Sequence, residues 1–151
     1  MSIVPTHLTL PEVTALVETH FPQVQDGHGR FTIERIGDGE AVVRMDHDER
    51  AMRPGNTVSG PAMFKLADYG VYVVILSRLG EAGLQAVTTS MTINFLSRPK
   101  PGALVAHVRL LKLGRRLAVA EARLHAEGSK DIVAHATSTY AIPPDNRNTV
   151  S

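Results

Sequence analysis

The sequence predicts an α+β domain, one antiparallel sheet packed against a single long buried helix, and three patterns predict it. Residues 59–79 read as a helix whose apolar Met63, Phe64, Leu66, Ala67, Val71, Val73, Val74, Ile75 and Leu76 point to almost every side. Such a helix has no wet face, so other structure must wrap it. After Gly83 the period changes: Val87, Met91, Ile93 and Phe95 alternate with Thr88, Ser90, Thr92 and Asn94, the two-residue repeat of a half-buried strand. Three further β-rich stretches follow this strand and two precede the helix.

Taken in order, Val13, Leu16 and Val17 sit three and four apart behind Thr9 and Pro11, which predicts a short capping helix over residues 11–20, ended by Pro22. Residues 30–36 and 41–45, separated by Gly37-Asp38-Gly39, read as a hairpin. Residues 46–59, centred on Arg53-Pro54-Gly55-Asn56, read as a loop. Ser59-Gly60-Pro61 then starts the long helix with a capping residue and an early proline, and Gly80 stops it. Strands are expected over 103–113, 117–126 and 132–142. Their short links predict that the four strands after the helix are successive antiparallel neighbours. One domain over residues 1–142 and a disordered tail over 143–151 complete the reading.

Composition narrows the function. A chain of 151 residues with 43% apolar content can bury one real core, and 16 basic against 15 acidic residues argue against a nucleic-acid or anionic-membrane surface. Aromatics are 5% with no Trp, too few for a base-stacking platform, and the absence of Cys excludes a thiol nucleophile and thiolate-bound zinc. The N-terminal residues lack a basic and apolar leader, and the longest apolar run, Val71 to Leu76, is far short of a bilayer span. A soluble cytoplasmic protein is the expectation. The seven histidines show no metal-ligand spacing and read as solvated or strand-surface residues; no metal or cofactor is expected.

Between Glu49 and Glu121 the only carboxylates are Asp68 and Glu81, and Glu81 lies in the turn after the helix. Asp68 therefore stands alone in an apolar helix, where an unpaired charge is costly. Either Lys65 pairs with it along the helix or it does chemistry. The first turn supplies complementary chemistry: Gly60 and Ala62 carry N–H groups able to donate to a carbonyl that gains negative charge, and the same triplet also reads as a plain helix cap. Asp68 lies about 12 Å along the axis from Gly60, too far for both to act on one carbonyl within one chain. If both act, they belong to different subunits of a two-fold dimer.

The stretch RPGNTVSGPAMFKLADYGVYVVI, followed by AVTTSMTINFLSRPKPGALV, resembles the PaaI-like acyl-CoA thioesterases of the hot-dog superfamily, and the resemblance runs more weakly from Phe31 to Ile142. It implies a hot-dog fold, a sheet wrapped around the central helix. In that family N-x-x-G-x-x-H-G-G opens the helix, with a catalytic acid eight residues after the first Gly of the pair. Gly60 and Asp68 match. The family's His falls on Ser59, its second Gly on Pro61, its Asn on Arg53, and Asn56 takes the place of the loop Gly.

The resemblance implies thioester hydrolysis, with Asp68 as general base or nucleophile, the partner's Gly60 N–H at the oxyanion and Thr88 orienting water or the carboxylate. It also implies substrate contacts from Arg53, Asn56 and Ser59; Met63, Phe64 and Tyr72 on the central helix are candidates for substrate contact along the acyl chain and equally read as core. Contacts to coenzyme A phosphates are expected from Arg98, Lys100, Arg115 and Arg116, and assembly as a homodimer or a dimer of dimers. The alternatives are a non-catalytic acyl-CoA-binding module and a hot-dog dehydratase or hydratase. The latter pairs its acid with a His that Asp68 lacks along the chain.

Overall fold

The computed structural model describes residues 7–144. Helix α1 (Leu10–His20) starts on a capping box: the Thr9 hydroxyl accepts from the Glu12 N–H at 3.3 Å, and the Glu12 carboxylate accepts from the Thr9 N–H at 3.0 Å. A single 3₁₀ turn over Pro22–Asp26 follows, and the Gln25 side-chain amide clamps it to the backbone of Phe31 with two 2.9 Å bonds. Strands β1 (Phe31–Gly37) and β2 (Glu40–Met45) form the expected hairpin. Both turn residues, Asp38 (φ 49°) and Gly39 (φ 75°), are left-handed, which matches the twist of the strands.

The predicted loop holds more order than expected, with a 3₁₀ turn over Glu49–Ala51 and two-residue strands β3 (Met52–Arg53) and β4 (Thr57–Val58). Asn56 sits in the tight turn between them at φ 56°, a conformation Asn tolerates better than most residues. Helix α2 (Gly60–Leu79) follows, and Gly80 closes it at φ 59°.

Strands β5 (Val87–Phe95), β6 (Leu104–Leu113), β7 (Leu117–Ala126) and β8 (Ile132–Ala141) complete a six-stranded antiparallel sheet in the order β1-β2-β6-β7-β8-β5. The expectation that β5 neighbours β6 is overturned: β5 pairs with β8 at the sheet edge, Thr88 opposite Tyr140 and Phe95 opposite Ala134. The link at residues 96–103 covers up to about 27 Å when extended, enough to step over the roughly 14 Å between strands three places apart.

The sheet curls around α2 in the hot-dog arrangement. From Tyr69 to Ser77 every α2 residue is buried. Alanines at 118, 120, 122, 134 and 136 line the inner face of β7 and β8 and keep it low. At Gly70 the helix lies so close that an added Cβ would stand 2.5 Å from the Val108 side chain and 3.1 Å from that of Val43. The outer face is polar, with Glu121 held by Arg109 (2.8 Å) and His135 (3.2 Å). Beyond β8, Ile142 is buried, while residues 145–151 of the expected disordered tail lie outside the described residues.

Candidate active site

Asp68 is half-buried in α2 beside a cavity of about 530 Å³. The aromatic part of the cavity wall consists of Phe21, Phe31, Tyr69, Tyr72 and Tyr140. Its polar groups include Asp68, Thr88, Lys65 and His20. The end of α1 and the clamped turn after it supply His20, Phe21 and Val24, so the capping helix also closes the site. His20 thus stands on a cavity wall, which the reading of all histidines as solvated or strand-surface groups did not anticipate.

The Lys65 pair is not formed, and the Asp68 charge does not stand alone either. The Thr88 hydroxyl donates to Asp68 Oδ1 at 2.7 Å, and the Tyr140 phenol stands 2.7 Å from the same oxygen and 3.0 Å from the Asp68 carbonyl. Lys65 turns its ammonium over the Phe31 ring, 5.2 Å from the centroid. Burial first, and the Asp68 charge second, push the Tyr140 phenol well above its ordinary value, so it keeps its hydrogen at any physiological pH. Burial likewise raises Tyr69 to about 12.

Sequence reasoning missed Tyr140. It lies 72 residues from Asp68 in the chain, and only the β5–β8 register, which sets it opposite Thr88, brings the two together. A register irregularity between Thr88 and Ser90 lifts Thr89 out of step, and its hydroxyl donates instead to the Thr139 carbonyl at 3.1 Å.

At the helix start the Ser59 hydroxyl is a cap, accepting from the Ala62 N–H at 3.3 Å. That bond engages Ala62, which was expected to serve with Gly60 as a donor, and Pro61 has no N–H. Gly60, at the first helical position, keeps an N–H without an intrahelical partner. The Phe95 ring leans on Gly60, 3.3 Å from where a Cβ would stand.

The other expected contacts divide by place. Met63 is 4% exposed and belongs to the core, not the cavity wall; Phe64 is 40% exposed, and Tyr72 does line the cavity. Arg53, Asn56, Arg98 and Lys100 are all exposed and share one end of the sheet. There the Thr57 hydroxyl donates to the Pro99 carbonyl at 2.7 Å, and an Arg98 nitrogen lies 3.8 Å from the Gly55 Cβ position. Arg115 and Arg116, in the β6–β7 turn, occupy the opposite end, where the Ile142 N–H donates to the Arg116 carbonyl at 2.8 Å. The four cations therefore form no single patch within one chain.

Comparison with known proteins gives one consistent picture. Residues 55–133 match the family model described as thioesterase superfamily. A Pseudomonas aeruginosa protein provisionally named an esterase is 32% identical over 117 residues, 76% of this chain and 84% of that one. A crystal structure from Silicibacter sp., provisionally titled a thioesterase, is 41% identical, covers 95% of this chain and 97% of its own, and superposes with a TM-score of 0.80. A Streptococcus pneumoniae structure, titled a hypothetical thioesterase with coenzyme A, shares the fold at 22% identity, 89% and 96% coverage and a TM-score of 0.68.

Proposed function

The chain belongs to the thioesterase superfamily, and from that premise we propose that it hydrolyses the thioester of an acyl- or aryl-CoA to the free acid and coenzyme A, with Asp68 at the reacting centre. The observation that carries this reading is the Asp68 carboxylate, fixed by Thr88 and Tyr140 on the wall of an aromatic-lined cavity. As general base, Asp68 takes a proton from water as the water oxygen attacks the thioester carbon. As nucleophile, it attacks that carbon directly, and water then cleaves the mixed anhydride. Either way the carbonyl oxygen gains charge, the C–S bond breaks, and the thiolate leaves to be protonated as coenzyme A. The reaction requires no cofactor. A cytoplasmic location belongs to the same proposal; among the described residues no helix is long and apolar enough to cross a membrane.

The oxyanion donor in this reading is the partner subunit's Gly60, and strand β5 supports it. Among the described residues its outer edge has no neighbouring strand, and Val87 (56%), Phe95 (50%) and Leu96 (59%) are exposed along it. An unprotected apolar edge is a ready surface for a second copy. Asp68 is bonded to Thr88 near the start of β5, whereas Gly60 touches Phe95 at its end. Two β5 strands related by a two-fold run antiparallel, so the start of one meets the end of the other, and Asp68 meets the partner subunit's Gly60. The same pairing gathers the Arg115–Arg116 end of one chain and the Arg98–Lys100 end of the other around one site, where their cations suit coenzyme A phosphates. A dimer of dimers extends the same proposal.

Thiol release from a panel of short, medium, long and aryl acyl-CoAs, with wild type and Asp68→Asn side by side, tests this reading. Loss of turnover by at least a hundredfold in a folded Asp68→Asn protein is expected. Unchanged turnover removes Asp68 from the chemistry. No turnover by wild type leaves an acyl-CoA-binding module, a reading that the replacement of the family's His and second Gly by Ser59 and Pro61 favours.

A further inference from the structure

Of the two side chains that hold Asp68, Thr88 follows from the family pattern and Tyr140 does not. It is 3% exposed on β8, and its ring stacks on Tyr72 with centroids 6.5 Å apart and planes 30° apart. Tyr72 is fixed in turn by its hydroxyl, which donates to the Leu84 carbonyl at 2.7 Å. The Tyr140 hydroxyl thus has little freedom to swing away, and its nearest acceptor is Asp68 Oδ1 at 2.7 Å. Thr88 donates to that same oxygen. With both donors on Oδ1, neither of these bonds uses Oδ2.

We propose that Tyr140 is a positioning residue for the thioester hydrolysis assigned to this site: with Thr88 it holds Oδ1 of Asp68, fixes the plane of the carboxylate and leaves Oδ2 as the oxygen that meets water or the thioester carbon. This rests on the function proposed above. A purely structural role, tying β8 to α2 through the 3.0 Å contact with the Asp68 carbonyl, makes a different prediction, because it would affect folding and leave kcat of the folded protein alone.

Tyr140→Phe keeps the ring and removes only the hydroxyl. The other ionisable groups on the cavity wall, Lys65, Tyr69 and Tyr72 on α2 and His20 at the end of α1, stay in place. With the best substrate of the acyl-CoA panel, kcat is expected to fall about ten- to a hundredfold with KM little changed, as for loss of a hydrogen bond to a charged group. Unchanged kcat overturns the proposal, and so does a loss of thermal stability with kcat and KM intact.

A second measurement needs no turnover. In protein labelled at the ring Cζ of its three tyrosines, the resonance missing from Tyr140→Phe belongs to Tyr140. It is expected to shift in Asp68→Asn, and a resonance that stays put overturns the proposed hydrogen bond. Absence of wild-type hydrolysis would sink the function and with it the role in turnover. In that case the tyrosine resonance still reports separately whether Tyr140 holds Asp68.

Discussion

A carboxylate in an apolar helix announces itself in a sequence because charge among apolar side chains needs a partner, and Asp68 was legible for that reason. Its partners were less so. The family resemblance suggested Thr88, whereas Tyr140 depends on a pairing register that no local pattern encodes. Gly60 was legible as a helix start, and in the proposed reaction it is the donor that remains in the first turn, since Ser59 engages the Ala62 N–H and Pro61 has none. That gives a test at a single atom. Gly60→Pro removes the N–H at a helical position where proline is tolerated, and Ser59, at ψ 152°, already has the extended conformation that a following proline demands. The variant is expected to fold and to lose about 10²–10³ in kcat, the scale of one missing oxyanion donor. Gly60→Ala, which keeps the N–H and asks only that the exposed Phe95 ring give by a few tenths of an ångström, should stay within about tenfold of wild type. Equal kinetics for Gly60→Pro and wild type would remove the helix start from the mechanism.

At the scale of elements, α2 was the most legible part of the chain, because apolar residues on all sides leave burial as the only outcome. The hairpin of β1 and β2 followed from its turn residues. The place of β5 did not, since a short link was read as adjacency when residues 96–103 are long enough to cross the sheet. Its alternation was also read as half-buried, yet Val87 and Phe95, on the edge strand of the sheet, are more than half and half exposed. How closely α2 meets the sheet depends on Gly70. Alanine there gains up to about 1 kcal/mol of helix propensity. It also drives a methyl group into Val108 and Val43, side chains of two packed strands with nowhere to retreat, and such overpacking costs about 1–3 kcal/mol. Gly70→Ala is therefore expected to lower the thermal midpoint by several degrees, measured at fixed protein concentration because assembly shifts it too. A midpoint at or above that of wild type would mean that the helix can move off the sheet.

For the whole molecule the deciding question is whether one chain contains a complete site. The distance along α2 separates Gly60 from Asp68 by about 12 Å, and β5 links one to its end and the other to its start. Both observations predict sites shared between subunits, and shared sites have an arithmetic signature. Gly60→Pro and Asp68→Asn subunits are each expected to be inactive as homodimers. Mixed at random from co-expressed, differently tagged chains, half the dimers pair one of each. In such a dimer one site receives both defects, and the other receives the intact Asp68 of one chain and the intact Gly60 of its partner. About a quarter of all sites are then whole, so the mixture should recover about a quarter of wild-type turnover. If each chain held its own site, every site in every dimer would carry one defect, and mixing would restore nothing. Recovery without a change in KM would further show that the rescued sites are formed from wild-type parts, since a loosened or rebuilt site would bind its substrate differently.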